Sequence, residues 1–174
     1  IDLSKYQTIA CGPGLTAEAR SIIPQLLDSE IPLLLDADGL NILSSLGAAS
    51  TLQKRSAPTV LTPHWGEFKR LFPEIAEAHT GDSIAAVQAA AQASGAIVLL
   101  KGARTAIGSP QGQVWLNPDS TPALARGGSG DVLTGLMGGL LAQGIMRKTG
   151  IEAIVYSAAW WHAEAGIWAA KDRT

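Results

Sequence analysis

Cysteine, aromatic residues and charge are all scarce in this 174-residue chain: one Cys, 5% aromatic and 16% charged. A lone Cys11 cannot close an internal disulfide, which fits a reducing compartment, and its simplest role is a buried structural thiol. Thirteen Lys and Arg stand against fifteen Asp and Glu, for a formal net charge of −2. No basic run or stripe appears, so nucleic acid is not the expected partner. Uninterrupted apolar runs of about 18 residues are also missing, which argues against a membrane span. The opening Ile1-Asp2-Leu3-Ser4-Lys5 lacks the basic-then-apolar order of a signal peptide. No His/Cys spacing suits zinc. What the chain does have is 47% hydrophobic residues, enough for a packed core in one domain.

Short β-rich runs alternate with helical patterns, the mark of βαβ units and a parallel sheet. Strands are expected at Thr8–Cys11, Ile31–Leu35, Thr59–Leu61 and Ile97–Leu100. After the first, Gly12-Pro13-Gly14 makes a turn and Thr16 offers an N-cap for a helix carrying Ala19, Ile22, Ile23, Leu26 and Leu27. A second helix is expected over Asp82–Ser94 with Gly95 as its stop. Thr105–Ile107 and Gln113–Leu116 read as an antiparallel hairpin. Two more helices follow, Ser129–Gln143 stopped by Gly144, and Ile151–Ala170. Gly135, Gly138 and Gly139 inside the first of these disfavour the helix by up to about 1 kcal/mol each, so close packing is expected there.

Three of the strand-like runs end in polar residues. Leu35 leads into Asp36-Ala37-Asp38-Gly39-Leu40-Asn41, Leu61 into Thr62-Pro63-His64-Trp65-Gly66-Glu67, and Leu100 into Lys101-Gly102-Ala103-Arg104-Thr105. Open parallel sheets bind ligands outside the carboxyl ends of their strands. Caps and turns also use such residues singly; their agreement at three strands is what points to a site. The sharpest local signal is Ala125-Arg126-Gly127-Gly128-Ser129-Gly130-Asp131. Glycines let backbone N–H groups approach a ligand at a helix mouth, where unpaired donors and the helix dipole favour an anion. Asp131 in the first helical turn reads equally well as a helix-stabilising carboxylate or as a base beside a phosphate.

Taken in order, Gly12-Pro13-Gly14-Leu15, Leu35 through Asn41, Leu61 through Phe68, Leu100 through Thr105 and Gly127 through Gly144 resemble the ribokinase-like superfamily. Within it they are similar to the ADP/ATP-dependent NAD(P)H-hydrate dehydratases. The resemblance implies a three-layer α/β/α fold with a mostly parallel sheet. It makes residues 1–174 a single ribokinase-like domain, the C-terminal portion of one that is incomplete at its front. The implied activity returns the S form of hydrated NADH or NADPH (NAD(P)HX) to NAD(P)H, using ADP or ATP to phosphorylate and expel the ring hydroxyl.

By the same resemblance, Lys101, Gly102, Ala103, Arg104, Thr105 and Gly130 hold the adenine nucleotide. Gly14, His64 and Asp131 contact the hydrated cofactor. Asp131 matches the catalytic aspartate, beside an anion hole from the backbone of Gly128, Ser129 and Gly130. Glu67 matches the residue that orients Mg²⁺ through water. His64 stands where related sugar kinases carry Asn, which favours a dehydratase over a sugar, pyridoxal or hydroxymethylpyrimidine kinase, or a non-catalytic nucleotide-binding module. A cytoplasmic homo-oligomer, fused to or working with an NAD(P)HX epimerase, is implied as well. Trp65, Arg104 and Arg126 depart from the family's frequent Pro, Gly and Thr. Either arginine can fork onto phosphate or stay a solvated surface residue. His162, amid Trp160, Trp161 and Trp168, is expected in packing or a subunit contact.

Overall fold

The computed structural model describes residues 2–16 and 20–171. Six strands form one sheet in chain order: β1 (Ile9–Cys11), β2 (Leu33–Leu35), β3 (Thr59–Leu61), β4 (Ile97–Leu100), β5 (Thr105–Gly108) and β6 (Val114–Asn117). β1 to β4 are parallel, and β5 and β6 close the edge as the expected antiparallel hairpin.

Strand alternation divides the core in two. Leu33, Leu35, Leu61, Val98 and Leu100 face one side. There they meet α1 (Ile22–Leu27), α2 (Ala37–Ser45), α3 (Ala48–Leu52), α4 (Trp65–Leu71), α5 (Pro73–Ala78) and α6 (Ser83–Ser94). Leu34, Val60, Ile97 and Leu99 face the other side, against α7 (Ser129–Met146) and α8 (Ile151–Lys171). Strands apolar on both faces belong to a covered parallel sheet, and the three-layer α/β/α architecture follows. Sheet neighbours that are also chain neighbours need crossovers of one hand, so their helices gather on one face. The opposite face is left to α7 and α8. Among the described residues no helix is long and apolar enough to cross a membrane.

Several expectations need correcting. The first helix starts later than expected, at Ile22 after Ser21, so Thr16 is not adjacent to it; Ala19 lies outside the described residues. Gly144 does not stop α7, which continues to Met146. A methyl on Gly144 would come within 2.1 Å of Ile154 Cδ1, so this glycine lets α8 cross closely. Of the three interior glycines, Gly138 alone packs tightly, against Ala10 of β1; Gly135 and Gly139 face open space. Cys11 is half-buried rather than buried, and that partial burial raises its thiol pKa.

One arginine ties the first crossover together. Arg55 donates to the carbonyls of Leu26, Leu27 and Ile31 and to Thr59 Oγ1. It thus satisfies the end of α1 and joins it to Ile31, ahead of β2, and to Thr59 of β3. Arg55→Met should lower the unfolding free energy by about 2 kcal/mol, because these carbonyls lose a charged donor. The check is urea denaturation, with a fall in midpoint and an unchanged slope expected; an unchanged midpoint contradicts the role.

Candidate active site

The carboxyl ends of β2, β3 and β4 do lie side by side, and the residues after them form a connected group. Asp36, 2% exposed, accepts from Lys101 Nζ at 2.7 Å through Oδ1 and from Thr134 Oγ1 at 2.8 Å through Oδ2. A buried carboxylate without such partners would be strongly unfavourable. One residue therefore joins the ends of β2 and β4 to the second turn of α7. Gly12 makes the neighbouring turn possible. Its φ is +139°, and a methyl there would fall 1.7 Å from the Asp36 carbonyl oxygen.

His64 sits beside Lys101 in parallel pairing, with Lys101 N–H donating to the Pro63 carbonyl at 2.8 Å. It is also the N-cap of α4. Nδ1 accepts from the N–H of Gly66 at 2.9 Å and of Glu67 at 3.3 Å, while Glu67 Oε2 accepts from His64 N–H at 2.8 Å. This reciprocal box satisfies orphan donors at the helix start. A ring whose Nδ1 accepts carries its proton on Nε2 when neutral. The cap thus leaves His64 an Nε2–H donor, 3.6 Å from Glu67 Oε1.

The glycine-rich turn opens α7. Gly128 is the N-cap in the left-handed region, with φ +85°, where a side chain would be strained. Ser129 N–H donates to the Arg126 carbonyl at 3.3 Å, and Val132 N–H to the Gly128 carbonyl at 3.1 Å. Gly130 and Asp131, between them, have N–H groups with no intrahelical acceptor, as the first helical positions must. A Cβ on Gly130 would stand 3.5 Å from both Asp36 Oδ2 and Lys101 Nζ, so the turn rests directly on the ion pair.

A pocket of about 830 Å³ opens beside this turn. Of the expected residues it is lined by His64, Lys101, Gly102, Ala103, Thr105, Ser129 and Gly130. Gly14, Glu67, Arg104, Gly128 and Asp131 are not in its lining. Asp131 is exposed in the first turn of α7, one residue beyond the pocket wall. Gly14 lies past the end of β1, outside the pocket lining. Arg126 does line the pocket, whereas Arg104 is not in its lining.

Two residues in this region went unassigned. Asp36 reads in the sequence as one more polar strand end, yet it holds the site together. His162, expected in packing or a subunit contact, instead lines the pocket, with Nε2 3.4 Å from Ser129 Oγ. Burial pushes its imidazole pKa down, a backbone hydrogen bond with Ser129 opposes this, and the Lys101 cation lowers it further. Among the described residues no three His, Cys, Asp or Glu side chains cluster as a metal cage. The donors present still suit Mg²⁺, which takes one or two carboxylates, often through water, and completes its shell with phosphate oxygens. Glu67 Oε1 is the carboxylate oxygen left over by the cap.

The family model described as NAD(P)H-hydrate dehydratase matches residues 1–174. The chain belongs to the NAD(P)H-hydrate dehydratase family. A dehydratase-family relative from Synechocystis, named bifunctional NAD(P)H-hydrate repair enzyme Nnr, is 56% identical over the whole chain. One of the same name from Moorella thermoacetica is 39% identical over 98% of it. The chain spans 32% of the length of each. In structure it is similar to the Bacillus subtilis ADP/ATP-dependent NAD(P)H-hydrate dehydratase co-crystallized with ATP/Mg²⁺, at 33% identity and a TM-score of 0.78. That match covers 94% of this chain and 56% of the other. A ribokinase-like superfamily protein from Enterococcus faecalis gives the same TM-score at 29% identity, over 95% of this chain and 56% of the other.

Two outcomes follow for this member of the dehydratase family. Lys101→Met strands the Asp36 carboxylate and should destabilise by about 2–3 kcal/mol, at the lower end for a buried pair because Lys101 is 23% exposed. Asp36→Asn combined with Lys101→Met should recover much of that loss, and a double-mutant cycle on thermal unfolding reads the coupling; strict additivity rules it out. For His162 the folded pKa is depressed, so its neutral form is the one folding favours. Its contribution is fully present above the unfolded imidazole value, roughly 6.5, and is lost as pH falls below it. His162→Gln should flatten the acid side of the stability-versus-pH curve; an unchanged curve speaks against a half-buried neutral imidazole.

Proposed function

We propose that this chain dehydrates the S form of NADHX or NADPHX with ADP or ATP as phosphoryl donor. One observation carries the reading: a nucleotide-sized pocket meets the start of α7 at the carboxyl edge of the sheet, with Asp131 in the adjoining turn. The pocket wall from Lys101 to Thr105 is assigned to the nucleotide. The hydrated nicotinamide is assigned to the neighbouring strand ends, with Gly14, and Asp131 to the junction of the two ligands.

Hydroxide is a poor leaving group, and the chemistry first improves it. Asp131 takes the proton of the ring hydroxyl as its oxygen bonds to the terminal phosphorus of the nucleotide. The bond from that phosphorus to the nucleotide's bridging oxygen breaks, releasing AMP from ADP or ADP from ATP. Charge on the transferring phosphoryl group is met at the helix mouth; of the expected Gly128, Ser129 and Gly130 donors, the Ser129 N–H is engaged by the Arg126 carbonyl, so the Gly130 N–H, with that of Asp131, is assigned the role. Mg²⁺, when bound, supplies further charge neutralisation on the phosphates. The ring nitrogen lone pair then expels inorganic phosphate, and loss of a proton from the adjacent ring carbon restores the double bond. His64, at the pocket wall beside Lys101, is proposed to donate from Nε2–H to the substrate where the two ligands meet, its tautomer set by the α4 cap.

Relatives named bifunctional support coupling to an epimerase that supplies the S form, and the cytoplasm is the proposed location. The exposed indoles of Trp160, Trp161 and Trp168 offer a face for self-association. Asp131→Asn should lower turnover by about 10²–10⁴-fold, followed as recovery of reduced-nicotinamide absorbance with ADP or ATP supplied to the full-length protein. Near-normal turnover in that variant would sink the assignment.

A further inference from the structure

The charges lining the pocket do not match a nucleotide as they stand. An adenine di- or triphosphate brings several negative charges. Lys101, the obvious counter-charge, is already paired with buried Asp36 at 2.7 Å. Asp119, also in the lining, adds a negative charge. His162 is held toward its neutral form by burial, and His64 engages its Nδ1 in a helix cap. That leaves Arg126. Among the described residues it is the one lining cation with no carboxylate partner within ion-pair distance. It immediately precedes the glycine-rich turn, and its carbonyl accepts the Ser129 N–H that shapes the helix mouth.

We propose that Arg126 is a specificity-determining residue of this site, its guanidinium pairing with the phosphates of the bound nucleotide beyond the first. The inference rests on the nucleotide-dependent reading above. A guanidinium offers a planar fork of N–H donors that matches two phosphate oxygens at once. An exposed arginine at the rim adds no desolvation penalty before the ligand arrives. It also makes affinity depend on the number of phosphates, since each one brings charge toward the same cation. Lys101, balanced by Asp36, fixes the geometry of the turn while Arg126 supplies the uncompensated charge.

The test is calorimetric titration of the full-length protein with AMP, ADP and ATP, for the wild type, Arg126→Thr and Arg126→Lys, without hydrated cofactor. Arg126→Thr should weaken ADP and ATP at least tenfold and leave AMP within about twofold, and Arg126→Lys should recover only part of the loss. In turnover assays the variant should show a raised nucleotide KM with kcat nearly unchanged. Equal weakening of all three nucleotides means a disturbed pocket and overturns the proposal. Unchanged ADP and ATP binding means a solvated arginine and overturns it too, while the dehydratase reading stands. A wild type that binds none of the three nucleotides overturns both.

Discussion

Everything at the carboxyl edge of this sheet depends on one buried carboxylate. Asp36 accepts from Lys101 and Thr134, so the ends of β2 and β4 and the second turn of α7 meet at one side chain. With those partners it is satisfied, and without them it would be among the least tolerable groups in the core. The glycine-rich turn lies against this pair, close enough that Gly130 has the ion pair for its floor. The anion-binding mouth of α7 is therefore set at a fixed depth relative to the strands. Preorganised donors are useful in phosphoryl transfer because they need no rearrangement as charge develops.

Much of this was legible in the sequence for a physical reason. Apolar runs ending in polar residues mark buried parallel strands, and their ends share an edge by the rules of open sheets. The same logic hid the short helices. Asp36 and His64 look like loop residues after a strand, but they are the N-caps of α2 and α4, nine and seven residues long. Helices that short carry little periodicity to detect. Gly144 shows the opposite failure: a glycine late in a helical pattern signals a stop, and the crossing with Ile154 overrides it.

His162 could have been found. Val155, Ala159, His162 and Gly166 recur at helical spacing on α8, and all but His162 are fully buried. An imidazole in that stripe faces inward, toward the pocket, rather than outward with the exposed indoles of Trp160 and Trp161. The site itself came from joining separate signals, since neither the turn nor any one strand end distinguishes a helix cap from a phosphate cradle.

The sheet is laid down in chain order, each strand beside its predecessor. Such a layout lets much of it grow through contacts between near neighbours, with small loop-closure penalties. α7 is the exception. It must return from beyond β6 to pack Gly138 against Ala10 of β1 and Thr134 against Asp36, spans of 128 and 98 residues in the numbering. Those are strongly non-local contacts, and they bring the glycine-rich turn to the strand ends. A sheet without a docked α7 would lack the binding mouth altogether. The binding mouth thus exists only where α7 is docked, and a bound nucleotide would act as a clasp across that 98-residue span.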